Sequence, residues 1–403
     1  MTIELRYQQF DPSTCGFPQP RVPVLPALGP QSLSFTGERL PQVRLDAATS
    51  RSYVRGRYAL ADAYRLCGVG PATAILAPAY HCRTMLDPAI HAGAEVKLYP
   101  MQPSLAVDLS ALRSILASCQ FPVKALLATH FFGFVQPLDE VLAFCQSHGI
   151  HLIEDCCHCA PAVPETYSVG KRGRYSVWSP YKFYACEDGG TLLANKGATL
   201  PTESKRQARL TQDLKAIARA ASSFLGAGAS VAAQSPTRRV ADQSPTTGAK
   251  GLDRLVTMSQ HSSQYQPAME GCQQLASSRW VIRHTATGRL SLKRRHHFQQ
   301  WLLAVAELPH CRALYLHLPD GCVPYMFPLY IEHPDVHFYA LKRRGVPVWR
   351  WDDMAVSSCA VATDYRLHLL HLPCHQELSE AQMAWMVSSV VSVMTLTGLG
   401  HVR

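Results

Sequence analysis

Lys182 stands in the stretch Ser179-Pro180-Tyr181-Lys182-Phe183, and Glu154-Asp155 closes an apolar run upstream of it. A lysine amine can form a Schiff base with an aldehyde. A carboxylate such as Asp155 can hold a ring nitrogen protonated, so that the ring acts as an electron sink. Ser179 offers a hydroxyl to a phosphate, and Gly189-Gly190 lets backbone approach a ligand closely. A strand that delivers a carboxylate, then a Ser-x-x-Lys turn, then paired glycines is the order a pyridoxal phosphate site needs. Trp178, Tyr181, Phe183 and Tyr184 surround the lysine in sequence. An aromatic setting would desolvate the amine and lower its pKa.

Other residues join this set by position. His158 lies three residues after Asp155, and on a turn it would face the same side and could bind a ring oxygen. Arg55-Gly56-Arg57 opens a predicted helix, whose first N–H groups, with the two arginines, suit a phosphate. Each feature has a plainer reading: Asp155 as a helix cap, Arg55-Gly56-Arg57 as a solvated helix end. The run Cys156-Cys157-His158-Cys159 lacks the spacing of a zinc site, because adjacent cysteines chelate one tetrahedral ion poorly and no second pair follows. No metal centre is expected.

The elements that must position these residues follow a rhythm. A helix over 52–67 is stopped by Gly68, and Ala74–Ala77 is a buried strand before Pro78. Helix 82–92 and strand 96–99 come next, then helix 105–119 and strand 123–129, which ends in His130-Phe131. Helix 138–148 leads to strand 150–153 and Glu154-Asp155. Strands alternating with such helices predict an α/β, mostly parallel, doubly wound sheet. Ligands bind beyond the carboxyl ends of such strands, where Pro78-Ala79-Tyr80-His81, His130 and Asp155 fall. The pattern fades after 200, through Ala-, Ser- and Gln-rich sequence with Ser235-Pro236 and Ser244-Pro245. It resumes near Leu292, with strands over 324–331, 346–351 and 367–372, a helix over 338–344, and a last helix over 377–393 with Ser379 as N-cap. We divide the chain into an irregular arm (1–50), a large cofactor-binding domain (51–215), a mobile low-complexity segment (216–290) and a smaller C-terminal α+β domain (291–403).

Bulk composition narrows the class. The chain has 403 residues, 47% hydrophobic and 17% charged, which suits two globular domains and argues against disorder. No apolar run is long enough to span a membrane, and the Pro-rich start lacks the order of a secretory signal; a cytoplasmic protein is expected. The fourteen cysteines are scattered, several in apolar runs, and read as reduced buried thiols. The net charge of +10 is concentrated at Arg238-Arg239, Lys293-Arg294-Arg295 and Lys342-Arg343-Arg344. It fits a phosphorylated substrate or a solvated surface, and no nucleic-acid-binding motif accompanies it.

Taken in order, GRYALADAYRLCGVGPATAILAPAYHC (56–82), AGAEVKLYP (92–100), ALLATHFFGFVQPLDEVLAFCQSHGIHLIEDCCHC (125–159), SPYKFYACEDGG (179–190) and LHLPCHQELSEAQM (370–383) resemble the DegT/DnrJ/EryC1/StrS aminotransferases. The resemblance covers roughly 50–200 and 290–395. It implies the pyridoxal-phosphate-dependent transferase fold. It implies that Lys182 binds the cofactor and moves the proton, that Asp155 pairs with the pyridinium nitrogen, and that His158 stands near the phenolic oxygen. Ser179 and the Gly56-Arg57 turn would hold the phosphate. The chain departs from the family at four places: Val177 stands where many members carry a serine, Arg-Gly-Arg replaces a turn with Ser or Thr, Cys82 falls at the ring-stacking position, and the segment that in the family reaches the partner's phosphate is unrecognisable between 200 and 290. Tyr80 or His81 is then expected to stack instead. The implied activity is transamination of a keto sugar, nucleotide-linked, with an amino acid donor such as glutamate, in polysaccharide or glycoconjugate biosynthesis by a homodimer. The alternatives are a degenerate or regulatory member of the fold, or another chemistry of the same cofactor.

Overall fold

The computed structural model describes residues 4–11, 15–34, 49–160, 169–195, 197–201, 209–226, 253–258 and 260–396. The larger domain is built on a seven-stranded sheet. Its strands are β2 (Ser50–Tyr53), β3 (Ala74–Pro78), β4 (Glu95–Tyr99), β5 (Val123–Thr129), β6 (His151–Asp155), β7 (Tyr175–Trp178) and β8 (Gly190–Ala194), in the order β2-β8-β7-β6-β5-β3-β4. Strands β4, β3, β5, β6 and β7 are mutually parallel, and β8 runs antiparallel to β7 and to β2. Helices α1 (Gly56–Leu66), α2 (Arg83–His91), α3 (Leu109–Ala117) and α4 (Asp139–Ser147) form the crossovers.

Parallel strands covered on both faces read as continuous apolar runs, and these do. Leu76, Leu126 and Leu152 enter the core on one face of the sheet, while Ile75, Leu127 and Ile153 enter the core on the other. Each such side chain contributes about 1.5–3 kcal/mol by leaving water. This double packing fixes the register and so the height at which each strand ends.

The second domain follows α5 (Leu210–Gly226), β9 (Asp253–Met258) and α6 (Ala276–His284). It contains α7 (Thr287–Val305), β10 (Cys311–Ala313), β11 (Met326–Ile331), α8 (Pro334–Arg343), β12 (Met354–Ala355), α9 (Ala360–His368), β13 (Leu369–Pro373) and α10 (Glu380–Met394). Strands β10, β11 and β13 form an antiparallel sheet. Ser379 caps α10 in a capping box with Gln382, as its position before the helix predicts.

Several segments differ from the sequence reading, and part of the stretch read as mobile and low-complexity carries β9 and α6. The arm carries a strand, β1 (Leu5–Phe10), which pairs with β9 and β12 in a third sheet. Residues 346–351 form no strand; Trp349 makes a single bridge to His371. Much of the segment read as low-complexity, 227–252, lies outside the described residues. Among the described residues no helix is long and apolar enough to cross a membrane.

Candidate active site

Asp155 ends β6 and sits opposite Val177 of the adjacent parallel strand β7. Beyond β7 the chain turns through Ser179 into one 3-10 turn, Pro180–Lys182. The sheet thus brings the carboxylate and the lysine to one edge, at the carboxyl ends of neighbouring strands. Asp155 is buried, and its Oδ1 accepts from Cys157 N–H at 2.9 Å. His158 is buried one turn later. Its Nδ1 accepts from Phe132 N–H at 3.2 Å, so the proton sits on Nε2. Burial, with Lys182 and His371 nearby, holds its pKa well below the ordinary histidine value. The neutral ring therefore offers an Nε2–H donor that has no acceptor among the described residues.

The environment of Lys182 corrects one expectation. Burial pushes its pKa down, but Tyr325, Tyr181, Cys157 and Asp155 outweigh burial and the net shift is upward. The flanking aromatics do not enclose the amine as a group. Trp178 packs with Cys156 and Cys159, Phe183 and Tyr184 enter the main core, and Tyr181 lies under the Arg55 guanidinium. The ring beside Nζ is Tyr325, from the loop before β11, with its centroid 5.2 Å away. Tyr325 also packs on His158, with ring centroids 4.4 Å apart. An ammonium facing a ring and an anion keeps its proton.

Gly56, Ser179, Cys157 and Gly190 form a tight cradle at the start of α1. A Cβ on Gly56 would lie 2.4 Å from Ser179 Oγ and 2.9 Å from Cys157 Sγ. A Cβ on Gly190 would lie 2.3 Å from the Arg55 carbonyl. Arg55, the N-cap residue, makes no side-chain cap bond, so α1 keeps its positive end uncapped toward this cradle. The arginines turn aside: Arg55 Nη1 donates to Glu187 O at 2.7 Å, and the Arg57 guanidinium donates to Gln264 O.

These features fit a planar, phosphorylated aldehyde. There is a lysine, a buried carboxylate beside it, an imidazole N–H, and a helix N-terminus whose glycine packs against the Ser179 hydroxyl. The ring-stacking position is different. Cys82 N-caps α2 and its Sγ contacts Thr84 Oγ1 at 3.2 Å. Tyr80 is buried with its hydroxyl 2.9 Å from His371 Nε2, and His371 Nδ1 accepts from Trp349 Nε1–H at 2.9 Å. His81 Nδ1 donates to Ala79 O at 2.9 Å while its Nε2 accepts from Ala355 N–H at 3.2 Å. Both side chains thus tie the end of β3 to the second domain.

The sequence reading overlooked three site neighbours. Arg294, in α7, is fully buried and braces the lysine turn. Its Nη2 donates to Lys182 O at 3.0 Å, its Nη1 to Pro324 O and Tyr325 O at 3.1 Å each, and its Nε to Gln376 Oε1 at 2.8 Å. Gln376 Nε2 in turn donates to Phe183 O at 2.8 Å. Arg294 appeared as one member of a basic triplet, and its burial depends on α7 docking. Glu154 was passed over beside Asp155. It accepts from His130 Nε2 at 2.9 Å, Gly170 N–H at 3.0 Å, and Arg172 and Gly173 N–H at 2.6 Å each. Burial pushes its pKa up, but these donors outweigh it and hold the group ionised. All fourteen cysteines are free thiols.

Residues 47–226 match the family model for the DegT/DnrJ/EryC1/StrS aminotransferase family. The chain is 27% identical over 143 residues to L-glutamine:scyllo-inosose aminotransferase of Streptomyces griseus, covering 35% of this chain and 33% of that protein. It is 26% identical over 147 residues to UDP-N-acetyl-3-dehydro-alpha-D-glucosamine 3-aminotransferase of Acidithiobacillus ferrooxidans, covering 34% of this chain and 38% of that one. The chain thus matches about a third of the length of these curated relatives. A DegT DnrJ EryC1 StrS aminotransferase from Brucella abortus superimposes with TM-score 0.57 and 15% identity, over 86% of each chain. S. venezuelae DesV does so with TM-score 0.58 and 17% identity, over 87% of this chain and 85% of that one. These superpositions show the pyridoxal-phosphate-dependent transferase fold. Over residues 47–226 the chain is thus similar to the DegT/DnrJ/EryC1/StrS aminotransferase family.

Proposed function

We propose that this protein is a pyridoxal-phosphate-dependent aminotransferase that transfers an amino group from an amino acid to a keto sugar. The observation that carries this reading is the meeting of Lys182, Asp155 and the Gly56–Ser179 cradle at the ends of β6, β7 and the start of α1. When bound, the cofactor supplies an electron sink that stabilises a carbanion at the substrate carbon.

The chain's own residues supply the rest. Lys182 Nζ would hold the cofactor through its aldehyde carbon, with loss of water, and once freed would carry a proton between two carbons. Asp155, buried and anchored by Cys157 N–H, presents a fixed negative charge to a protonated ring nitrogen. His158 Nε2–H donates to a ring oxygen. The start of α1 and the Ser179 hydroxyl hold a phosphate dianion. Tyr325 packs beside Lys182 Nζ and leaves the side chain partly buried.

The substrate class rests on the relatives. Their names specify an inosose and a UDP-linked keto sugar as acceptors, and glutamine as one donor. A cleft of about 340 Å³ includes both arginines that flank Gly56, together with Arg209 and Arg219, which pair with Asp188 and Glu187 of the same lining. We extend the proposal to glutamate as donor, a homodimer, and the cytoplasm.

A second reading, a scaffold that binds cofactor without turnover, draws on Tyr80 and His81, whose polar atoms are committed elsewhere. Mixing the cofactor-loaded protein with glutamate or glutamine separates the two. Bleaching of the visible band, and its return on adding a keto sugar nucleotide, supports transamination. A band that neither donor changes supports the scaffold.

A further inference from the structure

The second domain carries a histidine cluster far along the chain from Lys182, in the stretches His310-Cys311 and Glu332-His333-Pro334-Asp335-Val336-His337. His310 precedes β10 and Glu332 follows β11, and Glu332 N–H donates to His310 O at 2.9 Å across that ladder. His333 is the N-cap residue of α8, and His337 lies one turn inside it. The hairpin end and the helix start therefore converge on four potential ligands.

Three of the four are spaced to share one ion. A tetrahedral ion bonded at about 2.0–2.1 Å to its donors places those donors roughly 3.4 Å apart, and the centroids of bound imidazoles roughly 5 Å apart. His310 Nδ1 and Glu332 Oε2 are 3.1 Å apart. Ligand atoms of His310, Glu332 and His333 all lie within 4.8 Å of one another. The ring centroids are 5.1 Å apart for His310 and His333, 5.8 Å for His310 and His337, and 5.7 Å for His333 and His337. His310, Glu332 and His333 thus face one another, and the buried ring of His337 stands beside them.

His337 is the independent observation. It is fully buried, and neither Nδ1 nor Nε2 has a hydrogen-bond partner. An unpartnered buried imidazole is costly and calls for an explanation. A metal ion satisfies it where no protein group does.

We propose that His310, His333, His337 and Glu332 form a Zn2+ site that fastens the start of α8 to the β10–β11 edge. Three imidazoles and one carboxylate favour zinc over magnesium or calcium, which take oxygen ligands. The site is independent of the cofactor reading and lies outside the residues assigned to it.

The test uses the full chain, stripped of metal and titrated with Zn2+ against a chromogenic chelator. One Zn2+ should bind per chain. His333→Ala and Glu332→Gln, both at partly or fully exposed positions, should each weaken binding at least tenfold while the protein stays folded. Zinc should raise the thermal midpoint of the wild type by about 5 °C or more and leave His333→Ala almost unmoved. Because the chain has fourteen thiols, Co2+ serves as a second probe; its visible spectrum should show d–d bands without a thiolate charge-transfer band. Binding unaffected by both substitutions, a thiolate band that persists in His333→Ala, or no stoichiometric uptake would overturn the proposal.

Discussion

Arg294 Nη2 donates to the carbonyl of Lys182 at 3.0 Å, so a helix of the second domain holds the turn that presents the lysine of the first. The same guanidinium also binds Pro324 O, Tyr325 O and Gln376 Oε1. Arg294 thus fixes both the lysine and Tyr325, the ring beside its amine. Burial pushes its pKa down only to about 10, so it stays a cation at neutral pH.

Removing this brace leaves three carbonyls and an amide oxygen without their donor. Arg294→Met should lower the unfolding free energy by about 3–5 kcal/mol, measured by urea denaturation. Arg294→Lys should recover little of that loss, because one ammonium does not span four acceptors. Full recovery in Arg294→Lys would show that charge, rather than the fork of donors, holds the turn.

The two glycines of the cradle should fail differently. An added Cβ at Gly56 meets side chains, Ser179 Oγ and Cys157 Sγ, whereas at Gly190 it meets the Arg55 backbone. Gly56→Ala should stay folded and weaken pyridoxal phosphate binding at least tenfold, or about 1.4 kcal/mol. Gly190→Ala should cost about 3 kcal/mol of stability, because backbone must move. Equal effects of the two on stability, with no change in cofactor affinity, would remove the cradle from the site.

His81 gives the protein a stability that depends on pH. Burial lowers its pKa from 6.5 to about 4, against weaker opposing effects of Ala79 and Pro78 carbonyls. The unfolded chain therefore binds this proton first as pH falls. The contribution is fully present above about pH 6.5 and is lost toward pH 4, at about 1.4 kcal/mol per pH unit. Urea midpoints recorded from pH 7.5 to 4.5 should fall less steeply for His81→Gln than for the wild type. Parallel profiles would show that His81 is protonated equally in both states.

Much of this architecture was legible in the sequence, for a physical reason. β3, β5 and β6 are apolar on both faces, so their runs stand out. Ser379 announced α10 because capping is local. What depends on distant partners was not legible. Leu5–Phe10 becomes a strand only by pairing with Asp253–Met258 and Met354–Ala355. Arg294 looks like its neighbours Lys293 and Arg295 until α7 docks. Tyr80 and His81 follow a strand end, as ligand-binding residues do, yet His371 and Ala355 of the other domain claim them. Trp178, Phe183 and Tyr184 flank Lys182 in sequence but pack into the core clusters, and the ring beside its amine comes from Tyr325.

The central claim is that Lys182 binds pyridoxal phosphate. The direct measurement is reconstitution of purified protein with the cofactor, followed by absorbance, borohydride reduction and peptide mass. The wild type should show the visible band of a lysine-bound cofactor, and reduction should fix the added mass on the peptide that contains Lys182. Lys182→Ala, folded by circular dichroism, should show neither. A wild type that stays colourless at saturating cofactor, or mass fixed on a different lysine, would contradict the account.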